Sequence, residues 1–316
     1  MAYVSAASSP AHFEAFKTIL KACLVSGYGT IPAAGWDLVY EADNALVLRP
    51  GSGSGYVCFQ RESSISLVTV WLSSTYAGVD AGGRLLGDGV KSGTAASNSV
   101  PQRFSVRSFV AYAASSTWAL VADAKTFVVS LSGSNRAQPF EVTGSEGSTY
   151  EANHTLYVGE DSSGDLISVG GVNTTSNSSS GPTVGFNAAG FTALKFPDTG
   201  LLVDTSSIGV AMPGASPASS SDFNAFPTGV VFPDVSLSPV YWIANGVVRK
   251  LRGLAVDPRF MSAYNSSVAQ ALGGPALTTR TMNTIFELDD GHAYLVGRSY
   301  SVSVMSMLLT TNPEFW

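Results

Sequence analysis

After Trp36 the hydrophobic period of this chain changes from that of a helix to that of a strand, and it does not change back for long. The runs Trp36–Tyr40, Ala45–Arg49, Tyr56–Gln60 and Ile65–Leu72 follow one another, each short, rich in β-branched or aromatic residues, and bounded by Gly, Ser, Asn or Asp. Such runs suit a pleated, half-buried surface, and the boundary residues supply the backbone conformations that turns need. Further runs are predicted at Phe104–Tyr112, Trp118–Asp123, Thr126–Leu131 and His154–Gly159. Trp118–Asp123 and Thr126–Leu131 are separated only by Ala124 and Lys125, a hairpin spacing. In the second half, Val240–Ile243 and Val247–Leu251 flank Ala244-Asn245-Gly246, and Asn-Gly is a strong hairpin signal. Thr284–Leu288 and Ala293–Val296 flank Asp289-Asp290-Gly291-His292 in the same way, and Pro258–Ala271 reads as a short helix.

One helix precedes all of this. Ser9 suits its cap, Pro10 its first turn and Gly27 its end, and Phe13, Phe16, Ile19, Leu20, Cys23 and Leu24 form one apolar stripe. The expected fold is therefore mainly β, with an N-terminal amphipathic helix packed on antiparallel sheets in a sandwich-like or barrel-like arrangement. Gly78–Pro101 is Gly/Ser-rich, has no period and reads as a long loop. Asp161–Gly181 is polar and ends Ser178-Ser-Ser-Gly181. Its end is read as a domain boundary or a long surface loop, which gives a helix-plus-β domain over 1–181 and a β-rich domain over 182–316. No internal repeat appears, which argues against solenoids and propellers.

Composition narrows function more than fold. Hydrophobic residues make up 45% of the 316, enough for a sizeable core, whereas charged residues reach only 13%, about half of the roughly 25% usual in globular chains. A surface so poor in charge is expected to be covered by partners. The net charge of −6 and only 17 scattered basic residues argue against nucleic acid. The densest basic run, Arg249-Lys250-Leu251-Arg252, fits the outer face of a strand. Met1-Ala2-Tyr3-Val4 has no basic leader character and no run reaches the ~18 apolar residues of a membrane span, so synthesis in a cytoplasm without membrane insertion is expected. In that setting the sequons at Asn153, Asn173, Asn177 and Asn265 are chance matches. Cys23 and Cys58 read as small core residues, with a disulfide between them left open.

Catalytic signatures are missing from the sequence. No Gly-Lys dipeptide exists to serve a phosphate loop, and Gly51-Ser-Gly-Ser-Gly55 puts Gly where a nucleophile elbow needs Ser. His12, His154 and His292 are far apart and lie in no zinc-ligand spacing. Glycoside cleavage needs two carboxylates about 5–9 Å apart. Asp80, Asp88, Asp123, Glu141, Glu160, Asp161, Asp204, Asp289 and Asp290 are the candidates, most of them in turn-like contexts. Asp289-Asp290-Gly291 lacks the alternating ligands of a calcium loop. No catalytic, cofactor-binding or metal-binding residue is assigned. Tyr76, Tyr150, Tyr157 and Trp316 are the aromatic residues that a carbohydrate could stack on if they are exposed rather than core.

Gly27-Tyr28-Gly29 and Ile31-Pro32-Ala33-Ala34-Gly35-Trp36 resemble the opening of a family of tailed-bacteriophage virion structural proteins, in which a Pro-x-x-Gly-Trp motif follows a helix. Asn44–Arg49 is similar to that family's Asn-Lys-Ala-Val-Tyr-Arg strand, and Gly53–Phe59 to the Gly-rich turn and aromatic strand after it. Trp118–Asp123 with Thr126-Phe127-Val128 resembles its Trp-x-Leu-Val-x-Asp…Thr-Phe-Tyr hairpin, and Leu237–Val240 and Leu251–Leu254 its Ser-Pro-Val and Leu-Arg-Gly segments. The chain departs at Asp37, where the family usually has Thr, at Leu48, where Tyr is common, and across Gly78–Pro101. The resemblance implies a non-catalytic role in the virion, in the tail or baseplate, with other virion proteins as partners in a homo-oligomer or hetero-assembly. The alternatives it leaves are a tail-tip adhesin for a host receptor or glycan and a neck or head decoration protein.

Overall fold

The computed structural model describes residues 9–62, 67–92, 102–105, 117–132, 154–170, 191–195, 209–211, 238–244, 247–256, 285–287, 293–298 and 306–316. The chain is mainly β, with one short N-terminal helix and four antiparallel sheets, none of them closed into a barrel among the described residues. The helix α1 (Ser9–Lys21) continues into a π-helical turn, Ala22–Ser26, and stops at Gly27, whose φ of 99° ends the helical path. Phe13, Phe16, Leu20 and Leu24 of the expected stripe are fully buried, and Ile19 and Cys23 pack at its margin.

The first sheet contains β1 (Asp37–Ala42), β2 (Ala45–Arg49), β3 (Tyr56–Arg61), β4 (Leu67–Ser73) and, after an excursion, β7 (Arg103–Ser105), in the order β1-β2-β3-β4-β7. The excursion corrects the expectation of a patternless loop from Gly78. There β5 (Gly78–Val79) and β6 (Leu85–Leu86) pair as a small hairpin, and Lys91 bridges to Leu72. Two-residue strands leave no periodicity for a sequence reading to detect. The second sheet has the order β12-β11-β10-β9-β8, from β8 (Thr117–Ala122), β9 (Thr126–Ser132), β10 (His154–Glu160), β11 (Leu166–Gly170) and β12 (Phe191–Ala193). β11 falls within the stretch read as polar, yet all five of its residues are buried. The third sheet runs β13-β14-β15-β18-β17-β16, from β13 (Gly209–Ala211), β14 (Ser238–Ala244), β15 (Val247–Val256), β16 (Ile285–Glu287), β17 (Ala293–Arg298) and β18 (Ser306–Thr310). Both hairpins expected there are present, with Ala244 paired to Val247 and Ile285 to Leu295. The expected helix at 258–271, the strand past Ser105 and the turn residues Asp289 to His292 lie outside the described residues.

The first two sheets and α1 share one core. Alternate residues point into it from each strand: Leu46 and Leu48, Val57 and Phe59, Val68, Val70 and Leu72, then Phe127 and Val129, Leu156 and Val158 from the facing sheet. Phe16 of the helix meets Phe59 edge-on at 5.1 Å between centroids, and Phe127 meets Trp36 at 5.4 Å. Each fully buried side chain of this size contributes about 1.5–3 kcal/mol. The sandwich is tied at the β7 side by Gln102, whose amide donates to Gly170 O at 3.0 Å and accepts from Thr192 Oγ1 at 2.9 Å. The other face of the first sheet carries Ala45, Val47, Cys58 and Trp71, covered by Leu85 of the β5–β6 hairpin. The third sheet lies on the outer face of the second, with β15 and β17 against β9 and β10.

Cys23 borders the main core and Cys58 sits in the cluster on the opposite face of the first sheet, and both are free thiols. Burial pushes Cys23 up to about 11 and Cys58 up to about 12. Since the thiolate is the reactive form, neither should alkylate with iodoacetamide at pH 8 in the native protein, while both should react in denaturant. Rapid native labelling of either, read by intact mass, would contradict this packing.

Candidate functional site: the junction of the three sheets

The turn between β8 and β9 is where the three sheets meet. Asp123 builds it: its Oδ1 accepts from Lys125 N at 2.9 Å and Thr126 N at 2.8 Å, the bonding that makes Asp a good turn residue. Its backbone carbonyl accepts from Trp36 Nε1 at 2.9 Å, and its Oδ2 pairs with Arg252 of β15. The next residue joins the β2–β3 loop, with Gly51 N donating to Ala124 O at 2.8 Å. A Cβ on Gly51 would stand 2.4 Å from Gly35 O, so three backbone segments approach too closely for any side chain there.

The third sheet docks on the same turn through buried polar groups. Thr126 Oγ1 and Tyr157 Oη both donate to Glu160 O, at 2.9 and 2.5 Å, and Arg252 N donates to Tyr157 Oη at 3.3 Å. Arg252 also lies over the ring of Trp316, 6.0 Å from its centroid, and Trp316 fills the space beside Gly253, whose φ is 68°. Trp316 is itself pinned by Nε1 donating to Thr310 O at 2.8 Å.

A second contact between these sheets is the β10–β11 turn. Asp161 Oδ1 accepts from Ser163 N at 2.7 Å, Ser163 Oγ at 2.6 Å and Asp165 N at 3.2 Å, and its Oδ2 accepts from buried Trp242 Nε1 at 3.0 Å. Ser162 exchanges bonds with Lys250: Ser162 N donates to Lys250 O at 3.0 Å, and Lys250 N donates to Ser162 Oγ at 3.1 Å. Asp165 Oδ1 accepts from Lys195 N at 2.9 Å. Burial first, then the nearby Asp161 charge, raise the Asp165 carboxyl from 3.8 to about 6, against the opposing pull of the Lys195 amide and the Lys195 and Lys91 charges. A folded-state acid above its unfolded value holds a proton that the unfolded chain has released. Stability contributed this way is present at low pH and is lost as pH rises from about 4 through about 6. The urea midpoint is therefore expected to fall over that window by the equivalent of about 1–3 kcal/mol, and Asp165→Asn to flatten the fall. An unchanged slope in the variant would remove Asp165 as its source.

These bonds leave the carboxylates occupied with structure. Asp80 Oδ1 accepts from Arg84 N at 2.9 Å, Asp88 Oδ2 from Thr75 Oγ1 at 3.0 Å, and Glu160 lies 3.7 Å from Lys125 Nζ. Glu141, Asp204, Asp289 and Asp290 lie outside the described residues, as do Tyr150 and His292. Among the described residues no group of three or more His, Cys, Asp or Glu is placed to hold a metal ion. Tyr157 is fully buried with its hydroxyl bonded and presents no face for a sugar, whereas Trp316 is partly buried and packs on Gly253. Tyr76 is half-buried against Tyr56, 5.7 Å between centroids. No described helix is long and apolar enough to cross a membrane.

Gly35-Trp36, Asp123–Thr126 and Leu251–Gly253 lie on separate elements, and nothing in their sequences indicates that they touch. Asp165 is not among the carboxylates singled out from the sequence, although the short spacing Asp-Ser-Ser-Gly-Asp between two strands is a signal for it. Comparison of the chain with family models, with curated proteins and with solved structures finds no match.

Proposed function

We propose that this chain is a structural component of a tailed-bacteriophage virion, in the tail or baseplate, and that it acts by assembly with other virion proteins rather than by catalysis. The observation that carries the reading is the ordered series of segments resembling that family. Three of them, Gly35-Trp36, Asp123–Thr126 and Leu251–Gly253, are neighbours at one junction although 87 and 129 residues separate their bonded pairs. The low charge of the chain supports it from a second direction, because a weakly charged β surface suits broad contacts with other subunits. Asp123 and Asp161 bond to turn amides, Arg252 and Trp242, so these two carboxylates hold the sheets together.

The reading predicts that particles of the encoding phage, purified and freed of soluble protein, contain this chain in a fixed ratio to the other tail proteins by quantitative mass spectrometry. Particles lacking it would overturn the proposal.

A further inference from the structure

Six large hydrophobic side chains are exposed among the described residues, and four of them lie within thirteen residues of one another: Tyr28 (47%), Ile31 (66%), Leu38 (42%) and Tyr40 (38%). The last two are on β1, which ends the first sheet. Among the described residues its backbone bonds to β2 and, at Ala42 O, to Lys17 Nζ at 2.8 Å, so the far side of Asp37–Glu41 is an open row of N–H and C=O groups. An open edge that also exposes apolar side chains is a template for another strand.

The occupant follows from the faces of β1. Residues directly opposite each other in an antiparallel pair point to the same face. Asp37 is opposite Arg49, Tyr40 opposite Val47 and Ala42 opposite Ala45, all on the outer face of the first sheet, where Val39 also packs. Leu38 opposite Leu48 and Glu41 opposite Leu46 are on the inner face. The irregularity between Leu38 and Tyr40 therefore gives the strand the pattern outer, inner, outer, outer, inner, outer, which reads the same in both directions. A strand of that pattern matches itself antiparallel. We infer that the free edge of β1 pairs with the same edge of a second copy of this chain, about a two-fold axis between Val39 and Tyr40.

In that register Asp37 meets Ala42, Leu38 meets Glu41 and Val39 meets Tyr40, with no like charges directly opposite. Glu41 arrives already neutralised, 2.7 Å from Lys21 Nζ and 3.6 Å from Lys17 Nζ, so Leu38 packs on a closed ion pair and its methylenes. Moving the axis onto Val39 sets Asp37 against Glu41, of opposite faces and like charge. Moving it onto Tyr40 sets Leu38 against Ala42, again of opposite faces. The contact is isologous and closes as a dimer. It does not depend on the virion assignment, because it follows from β1 alone.

Sedimentation equilibrium of the full chain tests it, with Leu38→Glu and Leu38→Met as paired variants. Leu38 is exposed, so both should fold, as circular dichroism would check. The wild-type chain is expected to be dimeric at micromolar concentration. Leu38→Glu sets a second carboxylate against Glu41 of the mate, whose lysine is already engaged, and is expected to weaken the dimer at least tenfold, whereas Leu38→Met keeps the apolar contact and is expected to keep the dimer. A monomeric wild type, a dimer indifferent to Leu38→Glu, or equal loss in both variants would each overturn the inference.

Discussion

Replacing Gly159 with alanine is expected to cost about 3–5 kcal/mol. Gly159 pairs with Thr126 across β9 and β10 and has a φ of 144°. A Cβ there would stand 2.4 Å from Thr126 Cα and 2.5 Å from Lys125 O, both backbone atoms that no side-chain rotation can move aside. The cost combines an unfavourable backbone conformation with overpacking against a fixed strand. The same clash separates Glu160 from Lys125 and Thr126, so the junction should loosen together with the sheet. Gly164 is the control. Its φ is 77° but nothing lies within 4 Å of its would-be Cβ, so Gly164→Ala should cost only about 1–2 kcal/mol. Urea unfolding of the two variants, compared by midpoint at a common slope, checks both values. Equal costs would show that the close approach at Gly159 is not what demands glycine.

Trp36→Ala is expected to cost a similar 3–5 kcal/mol, but for a different reason. The indole is buried, packs on Phe127 and bonds the carbonyl of Asp123. Truncation opens a cavity at the edge of the main core and removes the bond that joins the chain leaving the helix to the β8–β9 turn. Trp36→Phe keeps much of the volume and loses the bond, so the difference between the two variants separates packing from hydrogen bonding. The phenylalanine variant should lie about 1–2 kcal/mol below wild type. If alanine costs no more than phenylalanine, Trp36 does not fill the core as described.

Much of the fold was legible because local pattern and local structure agree. The stripe Phe13 to Leu24 is helical and buried on one face, and Trp118–Asp123 with Thr126–Leu131 folds as the close hairpin its spacing implies. Asn245-Gly246 sits between two strands that pair as expected. The failures came where pattern is short or where tertiary contact decides. Leu166–Gly170 carries two polar-permitting positions, Ser168 and Gly170, beside an acidic, Ser-rich turn, and composition concealed a strand buried on both faces. Leu38 and Tyr40 read as ordinary strand residues, since no sequence signal tells an edge strand from a central one. The junction was less legible still. Asp123 was readable as a turn former, but its bond to Arg252 joins residues 129 apart, and nothing in either segment names the other.

The most direct test of the account is immunogold labelling of intact particles with an antibody against this chain. Gold should cluster at the distal end of the tail, where a baseplate component would stand. Gold on the head or neck instead would contradict the tail placement, which is the centre of the proposed function.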